Sequence, residues 1–206
     1  PPRPPGGGGG GGGGARRRWR GASSGGDSGG RWALHGGDGC DQDLCGWGND
    51  EKQWYLAKNA RIQAGALHIT GQRERSNSRG YTSAKLTTQG RFAAQYGRFE
   101  ARMKIPEGDG FWPAFWMMPK STLRWPLAGE IDILESSGHT PEKILGALHF
   151  GNVWPDNVHF SESILAPVPS KCRRDFFASA EEVLVWLPLN WDADLARGCS
   201  AAFWIE

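Results

Sequence analysis

Arg98-Phe-Glu-Ala-Arg-Met-Lys-Ile105 alternates strictly, with Phe99, Ala101, Met103 and Ile105 on one side and Arg98, Glu100, Arg102 and Lys104 on the other. A period of two marks a β-strand with one face buried and one face wet. Pro106-Glu-Gly-Asp-Gly110 follows with the residues of a turn. Phe111 to Met118 then gives a second apolar run, in which Trp112, Ala114, Trp116 and Met118 share a face. Together the two runs predict a hairpin. Shorter runs at Ala66 to Thr70, Tyr81 to Thr87, Glu130 to Glu135 and Ile144 to Phe150 are separated by Gly, Ser, Asn and Pro clusters, and no amphipathic helix competes with them. The expected class is all-β, a sandwich.

The 206 residues hold 38% hydrophobic and 22% charged side chains, which suits one soluble globular core. Positions 1–31 stand apart: an unbroken Gly6 to Gly14 run, two Pro pairs and the cluster Arg16, Arg17, Arg18 and Arg20 predict a disordered tail. Six of the 24 basic residues but one acid, Asp27, fall there, so the remainder carries 18 basic and 21 acidic groups. The folded part is mildly acidic and shows no basic stripe with interleaved aromatics, which argues against a nucleic-acid partner. No apolar run approaches a membrane span, and the first residues lack the n- and h-regions of a signal peptide. Cys40, Cys45, Cys172 and Cys199 form no CxxC and have no histidine pair at zinc spacing, so no metal site is expected. Cys40 and Cys45 flank a four-residue loop and either close a small disulfide or stand as two free thiols; Cys172 and Cys199 are unassigned. His35, His68 and His159 have no partners at metal spacing and read as incidental.

Gly129-Glu-Ile-Asp-Ile-Leu-Glu-Ser-Ser-Gly138 places three acids in an otherwise apolar strand. In strict alternation Glu130 and Asp132 share a face, while Glu135 falls with Ile131 and Ile133. A one-residue bulge near Leu134 would return Glu135 to the acidic face. Same-face neighbours on a strand stand about 6 to 7 Å apart at the backbone, and retaining glycoside hydrolysis needs two carboxyls about 5 to 5.5 Å apart. Crowded like charges raise at least one pKa, which keeps a proton on the acid at neutral pH. Eleven tryptophans, gathered near turns and acids, suit a carbohydrate cleft, since indole faces pack on the C–H faces of sugar rings; core packing accounts for any one of them equally well.

Glu-Ile-Asp-Ile-Leu-Glu resembles the E-x-D-x-x-E signature of glycoside hydrolase family 16, in the bulged six-residue form of its laminarinase branch. The supporting stretches run in family order: Gly-Asp-Gly-Cys40, Cys-Gly-Trp-Gly-Asn-Asp-Glu51, Tyr-Thr-Ser-Ala-Lys85, Tyr-Gly-Arg-Phe-Glu-Ala-Arg-Met-Lys-Ile-Pro106, Gly-Phe-Trp-Pro-Ala-Phe-Trp-Met-Met118 and Leu-His-Phe-Gly151. The resemblance covers about Trp32 to Phe160. It implies a concanavalin A-like jelly roll in which Glu130 is the nucleophile, Glu135 the general acid/base and Asp132 their helper. It also implies sugar contacts from Asn49, Glu100 and Arg102, platforms at Trp112, Trp116 and Trp125, and a cleft histidine at His149. Glu100 and Arg102 read equally as a cross-strand ion pair, His149 as a core residue and Asn49 as a turn former.

The resemblance further implies hydrolysis of internal β-1,3 bonds in laminarin-type or mixed-linkage β-glucans, outside the cell. No cofactor is required for that catalysis, and a structural calcium on the convex side of the sandwich is allowed. A non-catalytic β-1,3-glucan recognition protein and a transglycosylase are alternatives on the same scaffold. Residues 32–206 are the expected catalytic domain, truncated or divergent after about 160, where Lys171 to Leu189 lacks the family pattern. Its Ala-Glu-Glu-Val-Leu-Val-Trp run suits a short helix or strand. Asn190 to Asp194 and Ala202 to Glu206 faintly resemble the next strand pair, and the closing strands are expected to be missing.

Overall fold

Short runs, most of them followed within three residues by Gly, Pro or Asn, produce strands and little else. The computed structural model describes residues 30–95, 99, 101–165, 184–186 and 200–205. Among these the only helical turns are three short 3₁₀ segments, and no helix is long and apolar enough to cross a membrane. The strands are β1 (Ala33–His35), β2 (Gln53–Tyr55), β3 (Ala60–Gln63), β4 (Ala66–Thr70), β5 (Tyr81–Ser83), β6 (Lys85–Thr87), β7 (Ala101–Lys104), β8 (Ala114–Met117), β9 (Glu130–Glu135), β10 (Lys143–Gly151), β11 (Asn157–Leu165), β12 (Leu184–Trp186) and β13 (Ser200–Ile205).

A larger sheet takes the order β1-β6-β12-β8-β9-β10-β11 and a smaller one the order β3-β4-β13-β7, with β2 and β5 paired in parallel at the side. Every ladder within the two main sheets is antiparallel. Leu67 and Ile69 of β4 and Ala101 and Met103 of β7 meet Leu86, Phe115, Met117, Ile133, Leu134 and Ile144 of the larger sheet in one buried cluster. That cluster is the filling of a sandwich.

One expectation is corrected. The runs around β7 and β8 do not form a hairpin: β7 lies in the smaller sheet and β8 in the larger. Alternation reports which residues face the core, and Met103 and Met117 both do so from opposite sheets. Beyond 160, the Ala-Glu-Glu-Val-Leu-Val-Trp run, open to helix or strand from its sequence, holds the strand β12, and the run likened to a family strand at Ala202 to Glu206 overlaps β13. Leu184–Trp186 pairs with both β6 and β8, and Ser200–Ile205 with both β4 and β7, so each lies inside a sheet. Asn190 to Asp194, Cys172 and Cys199 lie outside the described residues. Cys40 and Cys45 close a disulfide.

Candidate active site

The larger sheet has a second, outer face. On β8, Phe115 and Met117 enter the sandwich core, while Ala114 and Trp116 point the other way and pack with Trp47 and Tyr55. The acids of β9 belong to that outer side, and the register shows how all three reach it. Trp116 is opposite Asp132, but Phe115 is opposite Leu134, leaving Ile133 as an extra residue. On the other flank, Ala147 is opposite Asp132 and Leu145 opposite Glu135, with two residues of β9 facing one of β10. Ile133 and Leu134 are both buried in the core, so the bulge places two consecutive apolar side chains inward. Glu135 thereby regains the side of Ala114 and Asp132.

Glycines frame this strand. Gly129 adopts φ 102°, a left-handed conformation open to glycine, just before Glu130. At the other end a Cβ on Gly138 would stand 2.1 Å from the Gly108 carbonyl oxygen. Gly108 N–H donates to Gly138 O at 2.9 Å, and Gly138 N–H to Phe111 O at 2.8 Å. The strand is thus pinned to the turn that precedes β8.

Each carboxyl has its own partners. Trp125 Nε1–H donates to Glu130 Oε2, and Trp112 Nε1–H donates to Glu135 Oε1 at 2.9 Å. Asp132 shares a hydrogen bond with Glu130. Burial, then the negative charges of Glu130 and Glu135, push the Asp132 carboxyl up to about 9, so it stays protonated at neutral pH and is the donor in that bond. Burial also raises Glu130, against which the hydrogen bonds from Asp132 and Trp125 and the charge of Lys85 act, while the Glu135 charge adds to the rise. Glu135 is raised by burial and drawn back by Trp112 and His159. A buried cluster with one securely protonated member and two carboxyls of different surroundings can hold a base and an acid side by side.

His149 lies beside the acids, its Nε2 3.5 Å from Asp132 Oδ2. Burial, then the neighbouring His159, lowers its pKa. Glu130, Asp132 and His149 are the one group of at least three Asp, Glu, His or Cys donors with metal-ligand proximity among the described residues. An imidazole nitrogen and two acids do not suit calcium, which takes six to eight oxygen ligands, so this group does not fit the structural calcium that the resemblance allows.

Trp112, Trp125 and His149 are therefore brought to the acids. Asn49 hydrogen-bonds Glu51 instead, and Trp116 packs over Lys85 Nζ, 5.6 Å from the ring centroid. Arg102 belongs to β7, a strand of the other sheet; its side chain, and Glu100 altogether, lie outside the described residues.

A second network was missed by sequence reasoning. Lys85 is buried on β6, its ammonium 4.2 Å from the centroid of Trp47. Burial pulls it down to about 8, opposed by the charges of Glu51 and Glu130. Glu51 is fully buried and accepts hydrogen bonds from Tyr55 OH at 2.6 Å and Gln53 Nε2 at 2.5 Å. Burial lifts it to about 7, against the pull of Lys85, Tyr55, Gln53 and Asn49. Lys85 and Glu51 each end one of the motifs quoted for the resemblance, which was the available signal. His159 and His35 also have partners: His159 stacks on His149 at 4.3 Å, and His35 meets Trp47 edge-on at 5.3 Å.

Fold and site together define a class: a jelly-roll β-sandwich with a carboxylate cluster and indole donors on the outer face of its larger sheet. The sequence profile described as "Glycosyl hydrolases family 16" matches residues 47–164, and the chain belongs to that family. It is 41% identical over 149 residues, 68% of its length, to a glucan endo-1,3-beta-glucosidase of Cryptopygus antarcticus. It is 49% identical over 121 residues, 55% of its length, to a beta-1,3-glucan-binding protein of Penaeus monodon. The chain spans 52% and 31% of the length of these two relatives. The laminarinase catalytic domain of Thermotoga maritima superposes with a TM-score of 0.76 at 21% identity, over 92% of this chain and 95% of that one, a likeness of fold.

Proposed function

We propose that the chain hydrolyses internal β-1,3-glucosidic bonds of laminarin-type or mixed-linkage β-glucans with retention of configuration. The observation that carries this is the bulge in β9, which gathers Glu130, Asp132 and Glu135 on one face and leaves Glu130 and Glu135 with separate indole donors.

In the first step the Glu130 carboxylate attacks the anomeric carbon, and Glu135 passes its proton to the departing glycosidic oxygen. The hydrogen bond from protonated Asp132 stabilises the Glu130 carboxylate before attack. As Glu135 becomes a carboxylate, the Trp112 N–H gains strength against developing charge, so it favours the transition state over the ground state. In the second step Glu135 takes a proton from water, whose oxygen displaces Glu130 from the anomeric carbon. The two inversions restore the β configuration. A sugar hydroxyl in place of that water would make the same intermediate a transglycosylation donor.

This chemistry runs through side-chain carboxyls, and a structural calcium stands outside the proposal. Residues 32–206 are the proposed catalytic domain. Work outside the cell is supported by the closed Cys40–Cys45 disulfide. A non-catalytic glucan-recognition role is the second reading, favoured by the likeness to the glucan-binding protein. Recognition proteins of this scaffold usually lack one or more of the acids, and all three are present here. Reducing-sugar release from laminarin and barley β-glucan tests the choice. The unaltered chain should release oligosaccharides and Glu130→Gln almost none; equal background release by both, with laminarin binding intact, overturns the enzyme in favour of recognition.

A further inference from the structure

The outer face continues past the acids into a ledge of four rings, of which the roles above use only part. Trp125, the donor to Glu130, has its ring centroid 5.6 Å from that of His149 and 6.0 Å from that of Trp154, the latter pair inclined by 32°. His149 in turn stacks on His159 with planes 12° apart, as their direct pairing across β10 and β11 allows. Trp154 sits in the loop between those strands, whose ends are held by the Gly151–Asn157 pair. It is 67% exposed, and Trp125 is 41% exposed.

An indole so exposed gains little from burial. A lone exposed aromatic needs no explanation, but one set beside the donor to Glu130 extends an existing apolar surface. Beyond the edge where Trp125 meets Glu130 and His149 meets Asp132, the ledge is made of rings that carry ring nitrogens at their rims. Those features suit a neutral polysaccharide, whose pyranose rings offer apolar C–H faces and hydroxyl rims. We propose that Trp154 is the outer platform of a glucan subsite, stacking a β-linked glucosyl ring removed from the bond being cut, with Trp125 as the inner platform. Because Trp154 touches no reacting group, its contribution is uniform binding and falls on KM rather than kcat. The proposal rests on the reading of the chain as a protein that acts on β-glucan.

The test measures laminarin affinity by calorimetry in the Glu130→Gln background, where turnover does not interfere. Adding Trp154→Ala should weaken binding roughly three- to tenfold, the range of one lost aromatic contact. Trp154→Phe should stay within about twofold of the parent, because it restores a stacking face. In the active background, Trp154→Ala should raise KM for laminarin while laminaribiosides, too short to reach the outer platform, change less. Unchanged polymer affinity in Trp154→Ala, an equal loss in Trp154→Phe, or a fall in Tm above about 5 °C, which would make the ring a structural prop, overturns the proposal alone. Failure of Glu130→Gln to bind laminarin at all overturns the glucan reading with it.

Discussion

Lys85→Met tests whether a buried charge network underlies the outer face. Lys85 is 7% exposed and Glu51 is fully buried, so deleting the ammonium leaves a carboxylate without its counter-charge in a site that water does not reach. Breaking a buried pair from one side costs about 3 to 5 kcal/mol while the remaining partner is ionised. Glu51, however, is lifted to about 7 with Lys85 in place, and loss of that positive charge lifts it further. A carboxyl whose folded pKa lies above its unfolded value contributes stability that is present at low pH and lost as pH rises through the folded value. Below about pH 6, then, Glu51 takes up a proton in the variant and the charge penalty vanishes. The depressed pKa of Lys85 acts in the same sense: at low pH its burial as an ammonium is a cost that the variant no longer bears. What remains is the contact with Trp47, worth about 0.5 to 2 kcal/mol. With about 2 to 4 °C per kcal/mol for a chain of this size, the loss in Tm should be on the order of 10 °C near pH 7.5, where Glu51 is ionised and Lys85 still protonated, and a few degrees near pH 5.5. Scanning fluorimetry across that range measures it, and Glu51→Gln added to Lys85→Met should recover most of the loss at the higher pH. A loss independent of pH, or no recovery in the double variant, would refute the reasoning.

Asp132 holds its proton up to about 9 in the folded chain, so the wild-type fold weakens as pH climbs towards that value. Asp132→Asn removes the slope, and its Tm relative to wild type should rise steadily from about pH 5 to pH 9 while glucan hydrolysis falls. Trp112→Phe deletes the N–H that meets Glu135 at 2.9 Å. A hydrogen bond to a charged group exceeds one to a neutral group by about 1 to 2 kcal/mol, so kcat/KM for laminarin should fall on the order of tenfold. Replacing both Cys40 and Cys45 by Ala opens a disulfide that spans a sequence separation of 5. The chain-entropy cost is about 2 kcal/mol, a drop in Tm of roughly 4 to 8 °C, which reduction of the wild-type disulfide should reproduce.

Sequence patterns reported facing better than partnership. The runs at Ala66–Thr70 and Glu130–Glu135 coincide with β4 and β9 to the residue, and the need for a bulge near Leu134 followed from acids and isoleucines competing for one face. The hairpin expected from the runs at β7 and β8 failed because two strands alternate identically whether they are hydrogen-bonded neighbours or face each other across a core. Leu184–Trp186 and Ser200–Ile205 were hard to read for a related reason: short segments become inner strands through the gaps they fill, which local pattern does not encode. Lys85 escaped notice because a lysine in a strand defaults to solvent, and what buries it, Trp47 and Glu51, comes from far away in sequence. His159 was legible in principle, since counting back from the loop between β10 and β11 sets it opposite His149.

The central claim is that Glu130 and Glu135 act in two successive displacements. Proton NMR of laminarin digestion, read in the first moments before mutarotation, tests it most directly. Newly formed reducing ends should appear first as the β-anomer and only later equilibrate with the α-anomer. Products that appear first as the α-anomer would contradict the two-step mechanism and, with it, the roles assigned to the β9 carboxyls.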